Sequence, residues 1–188
     1  MIRPHDGPVA RTWELWGNII IAALLALPLA AALAWLLARR RARAGHPAPV
    51  RTALADVGIP AGTLPWLWMI LTPATGQEGV SLVPFTDLVT LADAPAGAVL
   101  TQVGGNLLVF AALGALLPVR GPRLASVPRV AAVAAAASVT VEVLQYVLRL
   151  GRYSSVDDVL VNTAGAVLAA LVTRRWWAPR IRARPVPE

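Results

Sequence analysis

From Asn18 to Ala38 the chain reads NIIIAALLALPLAAALAWLLA, and Arg39, Arg40, Arg41 and Arg43 follow at once. At 1.5 Å per residue, a helix of this run covers the roughly 30 Å hydrocarbon core of a bilayer. In lipid every backbone polar group must be satisfied within the segment, so an isolated run of this kind folds as a transmembrane helix. It is too long for the apolar region of a signal peptide, and its positive cluster lies after it, which makes it an uncleaved anchor. Pro28 at its middle predicts a kink.

The rest of the chain agrees. Across 188 residues, 57% are hydrophobic and 14% charged, with a mean hydropathy of +0.63. That is the composition of an integral membrane protein. The chain has no cysteine, which removes disulfides, thiol nucleophiles and thiolate metal sites. Its two histidines, His5 and His46, have no companion ligands nearby, so no metal site and no cofactor is expected. The net charge of +7 comes from 17 arginines. In a membrane protein such an excess marks loops on the cytoplasmic side; no nucleic-acid partner is expected.

Three further runs read as spans: Ala98 to Leu117, Val130 to Leu150 and Val159 to Trp177. A fifth, Ala53 to Leu71, is weak, because Asp56, Gly58, Pro60, Gly62 and Pro65 interrupt it. If it crosses, Arg39, Arg40, Arg41, Arg43, Arg51, Arg120, Arg123, Arg129, Arg174, Arg175, Arg180, Arg182 and Arg184 share one side, against Arg3, Arg11, Arg149 and Arg152 on the other. If it does not, that bias disappears. An all-α polytopic helix bundle of about five transmembrane helices follows, with the N-terminus outside and the C-terminus cytoplasmic. Residues 1–17 form an extracytoplasmic segment, 18–72 hold two N-terminal spans, 73–178 hold an external loop and three helices, and 179–188 form a cytoplasmic tail. Within the loop, Val83, Pro84 and Phe85 are placed to dip into the interface. Trp176 and Trp177 fall where an inner aromatic belt belongs.

This topology sets the polar residues at one depth. Gln102 and Asn106, Glu142 and Gln145, and Asp158 and Asn162 all fall in the outer halves of their spans. Ser138, Glu142, Gln145 and Arg149 follow helical spacing and share one face. The short link LGRYSS makes the last two spans antiparallel neighbours and sets Arg152 over the gap between them. A carboxylate inside a span costs about 2.5–3.5 kcal/mol on insertion scales and usually faces a partner or a cavity. Glu142 therefore either finds a partner such as Arg149 or Arg152 or stays protonated. Two readings stand side by side: these groups clamp the helices together, or they line a site. Gly165 and Ala169 read as helix packing, as do Gly104, Gly105 and Gly114, and Phe110 reads as core.

From Val83 to Leu171 the sequence resembles the VanZ-like family of small bacterial membrane proteins. The shared elements are VPF, NLLVFAALGALLP with Asn106, Phe110, Gly114 and Pro118, SVTVEVLQ with Ser138, Glu142 and Gln145, and GRYSSVDDVLVNTAGA with Arg152, Asp158, Asn162, Thr163 and Gly165. Two positions depart: Ala112 stands where relatives often carry proline, and Ser155 where a polar or acidic residue is common. The resemblance implies a protein of the bacterial cell membrane, linked to lowered action of teicoplanin-type lipoglycopeptides at the cell surface.

Position and family pattern together nominate Asn106, Glu142, Gln145, Arg152, Asp158 and Asn162 as ligand-binding, while Arg149 and Asp157 have position alone. Three functions compete. The first is binding of an amphiphile, with membrane lipids as surroundings and a cell-wall lipid precursor or a lipoglycopeptide as partner. The second is an enzyme that modifies an envelope lipid, with Glu142 or Asp158 as general acid or base and Arg152 stabilising developing charge. The third is a small transporter, which the apolar inner halves of the spans disfavour. The oligomeric state is open.

Overall fold

The computed structural model describes residues 8–76 and 78–178. Its helices are α1 (Pro8–Arg43), α2 (Pro49–Leu71), α3 (Thr86–Ala92), α4 (Ala96–Val109), α5 (Ala111–Arg120), α6 (Val127–Val147) and α7 (Val156–Val172), and a 3₁₀ turn, Arg174–Trp176, follows α7. By length and apolar character four segments can cross a membrane: Trp13–Arg43, Pro49–Leu71, Ala96–Arg120 and Val127–Val147. With 17 residues, α7 is shorter, at the lower limit for a span. The chain is thus a mostly helical membrane bundle of the all-α class. Large apolar side chains such as Leu25, Leu29, Leu100 and Val172 point away from the protein, as lipid solvent permits.

The long apolar run forms α1, which continues unbroken through Pro28. Beyond its arginines it closes with a left-handed Gly45, φ +71°. There Gly45 N–H bonds Ala42 O at 3.1 Å and His46 N–H bonds Arg41 O at 2.9 Å. This is the double bond of a Schellman stop. Pro49 then sits in the first turn of α2, where it removes only a donor that the helix does not use.

The weak run is a full helix, and its interrupters have uses. A Cβ at Gly58 would lie 2.6 Å from Leu116 Cδ1, and one at Gly62 would lie 2.5 Å from Ala112 Cβ. Glycine therefore lets α2 lie close against α5. Asp56 bonds both Arg41 (2.5 Å) and Arg120 Nε, tying three helices at the arginine-rich end. Its carboxylate gives that end the counter-charge that the loops lack.

The third span is two helices, α4 and α5, broken at Phe110. Phe110 is 2% exposed and packs with Val109, Val130, Ala134, Val141, Ala166 and Ala170 into the core. At the α5–α7 crossing, a Cβ on Gly114 would fall 2.0 Å from Ala166 O. Where α4 meets α7, a Cβ on Gly165 would fall 2.0 Å from Leu107 O. Both glycines are close-approach residues. Gly105 is not: a Cβ there meets nothing within 4 Å, and Gly104 meets only Leu100 Cδ1 at 3.9 Å.

At the opposite end the connection from α2 to α4 carries a short strand and the helix α3. Gly79–Ser81 (β1) pairs in parallel with Tyr153–Ser155 (β2), a small sheet that periodicity could not announce from strands of three residues. Ala74 N–H bonds Leu150 O at 2.8 Å and Gly76 N–H bonds Gly151 O at 3.1 Å. Gly151 is indispensable to this docking: φ is +63°, and a Cβ would lie 1.9 Å from Ala74 O.

Two expectations change here. Helix α6 ends at Val147, and Arg149 takes the left-handed position of its stop, φ +50°, with Leu150 N–H on Gln145 O at 3.1 Å. Arg149 is exposed and leaves the face shared by Ser138, Glu142 and Gln145. Trp177 does not join Trp176 in a belt; its Nε1–H bonds Ala170 O at 3.0 Å and the ring packs on the core. Residues 1–7 and 179–188, with His5 and the tail arginines, lie outside the described residues.

Candidate functional site

All six nominated residues, Asn106, Glu142, Gln145, Arg152, Asp158 and Asn162, line one cavity of about 1080 Å³ at the end opposite the arginine cluster. The second half of α4, the last turns of α6, the α6–α7 link and the first turns of α7 bring them there, with the last turn of α2 behind them. Gln102 also lines it.

Each side chain is held by a specific contact. Asn106 donates from Nδ2 to Asp158 Oδ1 and joins α4 to α7. Asn162, 2% exposed, donates from Nδ2 to Ser138 Oγ at 2.8 Å and joins α7 to α6. Gln145 donates from Nε2 to Ile70 O at 2.9 Å. Arg152 donates from Nε to Thr72 O at 3.2 Å and from Nη2 to Met69 O at 3.0 Å. The last carbonyls of α2 have no partners within the helix, so Gln145 and Arg152 cap it from outside, with the guanidinium charge matching the helix dipole. Burial draws the Arg152 pKa below its ordinary value, yet arginine stays charged.

Glu142 has neither of its expected partners. Its Oε2 accepts Ser155 N–H at 3.1 Å. Among the described residues the ion pairs are those of Asp56 at the far end. Ser154 Oγ donates to Glu142 O at 3.1 Å and Ser155 Oγ donates to Asp87. The Ser154 hydroxyl is thus turned onto a backbone carbonyl, and the Ser155 hydroxyl onto the Asp87 carboxylate.

Asp157, which had position alone in its favour, proves to be a structural hub. It is 2% exposed, and its carboxylate accepts Phe85 N–H at 2.5 Å, Asp87 N–H at 3.0 Å and Leu88 N–H at 3.1 Å. It caps α3 from a distant helix and holds Phe85 in a left-handed conformation, φ +68°. The VPF segment is therefore pinned to α7, while Leu82, Val83 and Phe85 remain exposed. No sequence spacing signals a cap that comes from 70 residues away.

The other half of the cavity is apolar, and sequence reasoning missed it. Trp16, Ile20, Ala23 and Leu27 of α1 line it, facing Pro65 and Trp66 of α2. Their spacing, i, i+4, i+7, i+11, is one helix face. In a helix that is apolar all round, such a face has no contrast to reveal it.

A family model described as VanZ/LLP1 matches residues 61–177, more than half of the chain. No curated protein and no solved structure matches it. The matched region begins inside α2 and so takes in the carbonyls that receive Gln145 and Arg152; it excludes α1.

Proposed function

The chain belongs to the VanZ-like family of membrane proteins, and from that premise we propose that it binds an amphiphile of the bacterial envelope in this cavity. The observation that carries the reading is the division of one cavity into two chemistries: a polar wall from α4, α6 and α7, and an apolar wall from α1 and α2. A polar head and an acyl tail have the same division. With the arginine-rich end cytoplasmic, the cavity faces the outer leaflet of the plasma membrane, the side on which cell-wall lipids and lipoglycopeptide tails are met. Capture of such a molecule is a route to lowered sensitivity to lipoglycopeptides.

The test is native mass spectrometry of the purified chain beside Gly105→Trp. Gly105 lines the cavity and has open space at its Cβ, so an indole there occupies the site without displacing a helix. A co-purifying amphiphile on the parent, absent from Gly105→Trp at equal folded yield, is expected. Equal occupancy of both, or none on the parent, rejects the reading.

A further inference from the structure

Within the proposed cavity, we infer that the head it selects carries a positive charge, an ammonium group rather than a phosphate. The inference rests on the amphiphile-binding reading and adds the class of head. Donors on the polar wall are partly taken by the protein itself: one N–H of Asn106 Nδ2 by Asp158, one of Gln145 Nε2 by Ile70 O, and Arg152 Nε and Nη2 by Thr72 O and Met69 O. The carbonyl and carboxylate partners of these amides accept only, which fixes each nitrogen as the donor and turns the Gln145 amide oxygen to other partners. What remains facing the cavity is the second N–H of each amide, the Nη1 edge of Arg152, and a larger set of acceptors. Glu142 uses Oε2 for one backbone N–H and Asp158 uses Oδ1 for Asn106, each leaving a second oxygen.

An independent observation points the same way. Asn162, 2% exposed and lining the cavity, keeps Oδ1 buried with no protein partner. An orphaned buried acceptor costs about 1–3 kcal/mol and calls for a donor. The charges agree. Among the described residues Glu142 and Asp158 line the cavity against Arg152 as its sole basic residue, which leaves it one positive charge short when both carboxylates are ionised. Asp87, Asp157 and Glu78 on the segments packed against this end are also acidic. A phosphate could reach only the Nη1 edge of Arg152, whose other edge is taken by Thr72 O and Met69 O, and would meet these carboxylates beside it. An ammonium brings three donors and the missing charge.

The full chain, reconstituted in a zwitterionic bilayer, is titrated with dodecylamine, dodecyl phosphate and dodecanol, and saturable binding is scored against Gly105→Trp. The three probes share one tail, so their differences report the head. The amine is expected to bind at least about tenfold more tightly than either other probe. That preference should fall to less than about threefold in Glu142→Gln/Asp158→Asn. A phosphate that binds as well as the amine, or an amine no better than dodecanol, overturns the inference and leaves amphiphile binding standing. Absence of saturable binding by all three overturns both. Should the double variant fold poorly, the selectivity of the parent chain decides alone.

Discussion

At the scale of the residue, the polar groups of this bundle do two things at once. Arg152 and Gln145 close the end of α2 and also line the cavity. Clamp and site, the two readings open to the sequence, are thus not exclusive. Replacing Arg152 by alanine strips the carbonyls of Met69 and Thr72 of their donors. The change should lower the thermal stability of the purified protein, by about 1–3 kcal/mol, and not only alter ligand occupancy. Asp157 is the sharper case, because its carboxylate serves three backbone donors and touches no cavity. Asp157→Ala should free the 82–95 segment, seen as faster limited proteolysis there, with a loss of about 2 kcal/mol. Asp157→Asn, which keeps one acceptor oxygen, should fall between. Unchanged proteolysis in Asp157→Ala would show that the α3 segment is held by something else.

At the scale of the element, small residues decide how the helices meet. Gly114 and Gly165 face the backbone of the opposite helix, which cannot rotate aside. Gly114→Val or Gly165→Val should therefore reduce folded yield sharply, overpacking of this kind costing about 1–3 kcal/mol or more. Gly105→Ala, facing open space, should leave yield unchanged; similar losses at all three would contradict the packing described. The sequence made the spans legible wherever apolar length sufficed, and the order of the spans with the short LGRYSS link set the six polar residues toward one end. It misread Arg149 because continuing a helical face assumes that the helix continues, and α6 stops at Val147. It made α2 look doubtful because Gly58, Gly62 and Asp56 break hydropathy for reasons that lie on α5 and α1. Contacts between distant segments, such as the β1–β2 pair, leave no local signature.

At the scale of the whole molecule, the bundle is polarised. Arg41, Asp56 and Arg120 gather at one end, while the cavity and the β1–β2 pair lie at the other. A chain free of cysteine makes this orientation directly measurable. Single cysteines at Arg123 and at Asp93 should react with an impermeant maleimide from opposite sides, Asp93→Cys in intact cells and Arg123→Cys only after permeabilisation. The reverse pattern would turn the cavity toward the cytoplasm and remove the outer-leaflet proposal. The boundary of the family match adds something else. Its region supplies the polar wall, whereas α1, which supplies much of the apolar wall, lies before residue 61. If the cavity binds an amphiphile as proposed, head chemistry and tail length are written in separable stretches of the gene. Exchanging α1 between relatives would retune which chain length is accepted while the headgroup filter passes on intact.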